Sequence, residues 1–467
     1  MIDELLTLNI LPIRHTEKKM VVGVIDDTAL DALKTLAFRS SFSFEAEYME
    51  PELLICSVNE MRRLRLYLRF SDSKSTEENS ILPLVDTLLS HALSLQASDI
   101  HIEPFPTHCQ IRFRVDGLLQ TIVSIAPHYT PLIINHFKIL SHLNIAEKRL
   151  PLDGRFFISI PPFKEQACRI STCPTLHGEK IVIRFLKNPE ALTPLDEIGL
   201  TDLGLEQTLN ALQIPQGLIL VTGPTGSGKT STLYAALQYL NHEHSHLITI
   251  EDPIEMPLPG VNQVAVNPVI GLDFSTALRA FLRQDPDTIL VGEIRDAETA
   301  HIAIRAAHTG HRVLSTLHTN HALDALARLQ HLGVDRFQLS STLLLIIAQR
   351  LIRILCPFCK EISEVPSEFS SFFLPQQANC YTENLAGCPH CLKGFKGRRG
   401  IFEILPITEA IRHQLFMESN SDILLQLARK NGFKTLLEQG LVCVAEGITS
   451  LSEVMRVCGK LSESSKI

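Results

Sequence analysis

Residues Leu218 to Leu240 read LILVTGPTGSGKTSTLYAALQYL. The stretch opens on an unalternated apolar run, Leu218 to Val221, and passes through Gly223, Pro224, Thr225, Gly226, Ser227, Gly228, Lys229 and Thr230. It closes on Leu233, Ala236, Leu237 and Leu240 at helical spacing. The eight middle residues fill the pattern G-x-x-x-x-G-K-[ST], and a strand before it with a helix after it is the context that pattern requires. Glycines let backbone N–H groups curl around phosphate oxygens. Lys229 is placed to reach the β- and γ-phosphates of ATP, and the Thr230 hydroxyl to bind Mg²⁺ at the positive end of the helix.

Similar runs follow at Ile248 to Ile250 (ITI), Ile289 to Val291 (ILV) and Val313 to Leu314, the mark of strands covered on both faces. With helical segments between them they predict a parallel α/β sheet, whose ligands gather at the carboxyl ends of the strands. Glu251, Asp252 and Glu255 (EDPIE) follow the second run, Gly292 and Glu293 the third, and His318 the fourth, so all are expected near the γ-phosphate. An ordinary strand of the third kind ends in Asp. Here Gly292 holds that place and Glu293 is the acid, which leaves metal contact to Thr230, phosphate oxygens and water-bridged carboxylates. Glu255 is the candidate for orienting or activating the attacking water, a helix cap or surface acid being the alternative. His311 and His318 are candidates for sensing the γ-phosphate, against a structural role.

A length of 467 residues predicts two to four domains at ~100–200 residues each. The 45% hydrophobic and 20% charged residues fit a soluble globular chain, and the net charge of -8 argues against an unspecific grip on nucleic acid. Met1 to Asn9 (MIDELLTLN) carries two acids and no basic segment before an apolar core, so an intracellular chain is expected. The apolar run Leu343 to Ala348 falls short of the ~20 residues that cross a bilayer, so any membrane role must pass through partners.

Ser71 to Ser80 (SDSKSTEENS) lacks large apolar side chains and reads as a linker after a small module at 1–70. That module has a strand at Met20 to Ile25 and an Arg-rich run at Arg62 to Arg69, either a solvated helix face or a contact for an acidic partner. A second N-terminal domain is expected at 81–187. It begins with a helix marked by Val85, Leu88, Leu89 and Ala92 and continues with alternating strands at Cys109 to Val115 and Lys180 to Phe185. Asp116-Gly117 supplies a hairpin turn, and Arg184 is turned off the buried face. A linker at 188–200, broken by two prolines, leads to an ATPase domain at 201–467.

These residues resemble, over roughly 81 to 460, the secretion ATPase superfamily of GspE-type, PilB-type and PilT-type motors. Four motifs stand in that family's order: the loop at Gly223 to Thr230, TIEDPIE at Thr249 to Glu255, DPDTILVGEIRD at Asp285 to Asp296, and TGHRVLSTLHTN at Thr309 to Asn320. The Gly292-Glu293 form is itself the family's pattern. ASDIHIEP at Ala97 to Pro104, PLDGR at Pro151 to Arg155 and the stretch Arg169 to Leu186 are similar to the family's second N-terminal domain, with Leu152 where the family usually has Gln.

The resemblance implies a RecA-like P-loop NTPase core and a PAS-like α/β domain, working as a homohexamer with ATP between the two. It implies that Arg169 and Arg184 reach the phosphates and that Glu255, Glu293 and His318 serve hydrolysis. Arg279 and Arg283 match family positions, with a structural ion pair as the other reading. It also implies a cytoplasmic protein held peripherally at the inner membrane by platform proteins, its N-terminal module the contact. The output would be pseudopilin or pilin assembly for type II secretion, or extension of a type IV pilus.

Cys356-Pro-Phe-Cys359 and Cys388-Pro-His-Cys391 form two C-x-x-C pairs separated by 28 residues, a spacing that can close a tetrahedral Zn²⁺ site around a small loop. Cys380 lies inside the loop without a paired partner. GspE-type and PilB-type motors have a similar element and PilT-type motors lack it. A nucleic-acid motor on the same scaffold is disfavoured by the acidic charge and the four-cysteine element, and no aromatic stacking platform accompanies the basic run Lys393 to Arg399. A non-hydrolysing scaffold is disfavoured by the intact Lys229, Thr230, Glu255 and Glu293.

Overall fold

Strands in this chain form where apolar residues recur at period two or run unbroken, and the chain divides into two units. The computed structural model describes residues 1–16, 18–40, 42–71, 80–186, 192–366, 369, 379–417 and 421–459. Residues 72–79 and 187–191 lie outside the described residues, and with them most of the first expected linker and the start of the second. One unit is Met1–Leu186, with the short stretch Cys388–Leu392 counted to it; the other is the remainder from Lys187 onward.

In the first unit, strands Leu11–His15, Lys19–Val24 and Ser43–Tyr48 form a small sheet, the first pair antiparallel and the second parallel across helix Thr28–Arg39. Helix Pro51–Ser71 follows. Three arginines of its Arg-rich run hold the chain's start: Arg65 and Arg69 bond to Asp3, and Arg62 bonds to the Leu6 carbonyl and Asn9, clamping the first helix of the chain. At its far end Tyr67 and Phe70 sink into the next core beside Leu84, Val85 and Leu88.

That core lies against a six-stranded antiparallel sheet in the order Leu118–Ile125, Cys109–Val115, Asp99–Pro104, Gly178–Phe185, Gln166–Thr175, Leu152–Ile158. Ile111, Phe113 and Val115 are buried and Arg112 and Arg114 are turned away, as the alternation predicts. Asp116 and Gly117 turn the hairpin with φ of 48° and 84°, the double positive φ of a tight two-residue turn. Helices Leu82–Ser94 and Thr130–Leu140 supply the other side of the core.

The second unit is built on a seven-stranded sheet. Its order is Val261–Ala265, Leu247–Glu251, Thr288–Val291, Arg312–Leu317, Gly217–Thr222, Leu343–Leu355, Phe395–Pro406, parallel except for the antiparallel last pair. Leu218 and Leu220 enter one core and Ile219 and Val221 the other, which is why no polar residue interrupts the strand. Leu343 to Ala348 proves to be the start of a 13-residue strand, and among the described residues no helix is long and apolar enough to cross a membrane.

Lys138 in helix Thr130–Leu140 is 0% exposed and gives its ammonium to Glu179 at 2.5 Å and to the Glu147 carbonyl at 2.6 Å. Breaking such a pair strands a charge, whereas replacing both members with apolar groups does not. Glu179→Ala is expected to lower stability by about 3–5 kcal/mol in urea titration, and the double change Lys138→Met with Glu179→Leu by less than that single change.

Candidate functional site

The phosphate-binding pattern sits where the sheet order puts it, between Thr222 at the end of its strand and helix Lys229–Leu240. Gly223 adopts φ of 148°, and a Cβ there would stand 2.6 Å from the Gln349 carbonyl oxygen. Gly228, at φ 91°, caps the helix start. Lys229 Nζ donates to the carbonyls of Gly223 at 2.8 Å and Pro224 at 3.1 Å. Burial draws its ammonium below the usual lysine range, and the Glu293 carboxylate opposes that shift. Ser227 Oγ is buried with no hydrogen-bond partner among the described residues, and Thr230 is exposed on the first helical turn. A helix N-terminus, a partly desolvated ammonium and an unpaired buried hydroxyl together fit a polyphosphate.

Gln349 escaped the sequence reading. Its Nε2 donates to the Ser227 carbonyl at 2.7 Å, so the strand beside the loop braces it from beneath. The neighbouring Thr222 was missed as well, and its Oγ1 accepts from Thr319 N at 2.9 Å just beyond His318. A buried Gln and a strand-final Thr beside a Gly-rich loop are the signals that could have pointed to them.

The carboxylates at the sheet edge do not all converge, and here the sequence expectation is corrected. Glu251, 4% exposed, accepts from the Tyr234 hydroxyl, from Thr249 Oγ1 at 2.6 Å and from Gln263 Nε2 at 3.1 Å, so it is a buried joint. Asp252 and Glu255 stand exposed in the loop that follows, with Glu255 outside any helix. Asp296 caps helix Ala297–His308 through Thr299 N at 2.8 Å, and Asp287 accepts from His246 N at 2.7 Å.

Glu293 and His318 do come together. The Glu293 side chain, 12% exposed, meets His318 Nε2 at 3.2 Å and Arg295 Nη2 at 2.6 Å. Arg295 was not singled out, though it stands two residues from Glu293. A Cβ at Gly292 would lie 3.1 Å from the Ile250 carbonyl oxygen, so a side chain there would crowd the neighbouring strand. That closeness gives a physical reason for glycine at the place of the usual Asp. His311 sits at the opposite end of the sheet, bonded to the Ala306 carbonyl at 3.1 Å while its own carbonyl accepts from Gly217 N, and its reading as a phosphate sensor is set aside. Arg279 pairs with Glu298, a structural ion pair, and Arg283 donates to the Arg279 carbonyl.

Arg169 and Arg184 belong to the first unit, on adjacent strands in direct register. Arg155 faces Arg169, and Asp99 faces both Arg184 and Arg114, so four arginines share one row across the sheet. Asp99 holds Arg184 at 2.9 Å and Arg114 at 3.4 Å, and Asp153 holds Arg169 at 3.4 Å. Four guanidiniums over two carboxylates leave a positive row on a rigid sheet.

Cys356, Cys359, Cys388 and Cys391 each bring a sulfur within 4.8 Å of the other three, and the Cys388 and Cys391 sulfurs are 3.6 Å apart. Sulfurs at about 2.3 Å from a tetrahedral Zn²⁺ stand near that separation, so the donor set fits the ion. Cys380 is not part of it. It is buried in a strand with Leu441, Val444 and Val454 as neighbours.

A family model described as Type II/IV secretion system protein matches residues 74–456. The type IV pilus assembly ATPase PilB of Pseudomonas aeruginosa is 41% identical over 473 aligned positions, 96% of this chain and 83% of its own length. The type II secretion system ATPase E of Vibrio cholerae is 42% identical over 386, covering 82% and 76%. Among solved structures, the pilus retraction motor PilT with bound ADP superposes with a TM-score of 0.54 at 27% identity, over 81% of this chain and 98% of its own. With the family model spanning the phosphate loop, the Glu293–His318 pair and the cysteine cluster, this chain belongs to the type II/IV secretion system protein family.

Proposed function

We propose that this chain is a hexameric ATP-driven motor that powers pseudopilin or pilin assembly, and with it protein export, in a type II secretion system. The observation that carries the chemistry is the Glu293–His318 contact at the sheet edge beside the Lys229 loop. With a triphosphate on the loop amides, Lys229 exchanges the Gly223 and Pro224 carbonyls for the β- and γ-phosphates. Thr230 is placed to hold Mg²⁺, which supplies neutralisation of phosphate charge when bound. Exposed Glu255 orients the attacking water, and Glu293 and His318 hold the γ-phosphate end. Water oxygen bonds to the γ-phosphorus as the bond to the β-bridging oxygen breaks, giving ADP and phosphate.

The positive row containing Arg169 and Arg184 stabilises charge on the transferring group, a contribution of ~10³–10⁵ in rate for arginine fingers in related enzymes. The four cysteines hold one Zn²⁺, which folds a loop too small for its own core. The N-terminal module docks on inner-membrane platform proteins and keeps the motor peripheral on the cytoplasmic face, with no nucleic-acid partner. A second reading, type IV pilus extension, is favoured by the match to PilB over 96% of the chain, N-terminal module included, against 82% for the type II relative.

Lys229→Ala is expected to abolish nucleotide binding. Glu255→Gln and Glu293→Gln should bind ATP like the parent but turn over about 10²–10⁴-fold more slowly, and parental turnover in both would remove the catalytic assignment. Metal analysis of unchelated protein should give about one zinc per chain, lost in Cys356→Ser with Cys359→Ser, because structural sites of this kind require all four ligands. A pull-down from native membranes should bring down secretion components under the first reading and pilus components under the second.

A further inference from the structure

His318 is followed by three residues, each tied to a different strand of the sheet. Thr319 shares its hydroxyl with Thr222 at 2.7 Å and donates its N–H to the same atom. Asn320 accepts from Arg350 through its carbonyl at 3.2 Å and its Oδ1 at 3.1 Å. His321 Nδ1 lies 2.9 Å from Glu403 Oε1.

Glu403 is 1% exposed and also receives two helix starts. Its Oε2 accepts from Ala322 N at 2.9 Å, the first residue of helix Ala322–His331, and its Oε1 accepts from Leu436 N at 3.1 Å, the first of helix Leu436–Ala445. A buried carboxylate is costly unless such donors surround it, and two helix N-termini offer positive potential as well as N–H groups. The bond to Glu403 raises the His321 imidazole above its ordinary value, burial opposes this, and Asp324 and Arg350 are the other charged groups facing the ring. The His321 side chain is 56% exposed, so it is no packing element of the core.

We propose that His321 and Glu403 are positioning residues for His318. Their contact fixes the loop that aims the His318 imidazole at Glu293, and the same Glu403 carboxylate joins that loop to the start of helix Leu436–Ala445. The C-terminal helices are thereby coupled to the hydrolysis site. The inference rests on the role given to His318 above.

The test is steady-state ATP hydrolysis by the full chain with magnesium, comparing His318→Ala, His321→Ala, His321→Asn, Glu403→Gln and the double variant His318→Ala/His321→Ala. Displacing a catalytic group by a fraction of an ångström to one ångström costs up to about 10²-fold, so His321→Ala should lower kcat about 10-fold at unchanged KM for ATP and unchanged melting midpoint. Glu403→Gln should move in the same direction. His321→Asn, whose amide nitrogen takes the place of Nδ1, should recover most of the loss. The double variant should be no slower than His318→Ala alone, since the two changes act through one group. Parental kcat in His321→Ala beside a slow His318→Ala overturns the proposal alone, as do additive losses or a loss that follows a lowered melting midpoint. Parental kcat in His318→Ala overturns the role of His318 and this inference with it.

Discussion

A parallel sheet covered on both faces admits a polar side chain along its strands only where internal donors or acceptors meet it, and the chemistry of this protein follows from that constraint. Strand Gly217–Thr222 is buried at every position, as are Leu247–Glu251 and Thr288–Val291. Polar residues are therefore displaced to where the strands end, and because the strands are parallel those ends share one edge. The Lys229 loop, Glu293 and His318 emerge from neighbouring strands there.

Where polar groups do enter the interior, they act as joints rather than as catalysts. Glu251 ties helix Lys229–Leu240 to two strands through Tyr234, Thr249 and Gln263. Glu403 receives two helix starts. Glu453, 1% exposed, binds Arg353 through backbone and side chain and also Arg456, fastening the helix Leu451–Cys458 to strand Leu343–Leu355. Each of these carboxylates is surrounded by donors, the condition under which a buried charge is tolerated. Their placement fixes relative positions of elements that hydrophobic contact alone would leave free to slide.

The four-thiol cluster solves a different problem. Strands Glu361–Glu364 and Asn379–Thr382 form a two-stranded ribbon that is marginal by itself, and two-stranded ribbons need additional packing or a metal to persist. Cys380 contributes to that packing as a buried apolar side chain, while the C-x-x-C pairs bring four sulfurs together in an arrangement that could hold a metal ion. The same residue type thus serves two ends in one loop, separated by burial.

What the sequence determined by itself was local. Unalternated and alternating apolar runs marked the two large sheets, the Gly-rich pattern marked the phosphate loop, and the two C-x-x-C pairs marked the cysteine cluster, because backbone conformation and burial are written in near-neighbour spacing. What only the tertiary structure decided was the partner of each polar side chain. Glu251 and Glu293 look alike in sequence at the ends of two strands, yet one is consumed by three internal donors and the other meets His318. His311 and His318 lie seven positions apart in one motif, yet a six-residue strand between them sends them to opposite edges of the sheet. Gln349, Arg350 and Glu403 reach the site from strands far along the chain. Strand order is set by long crossovers and shared cores, and spacing within a segment carries no record of which distant strand lies beside it.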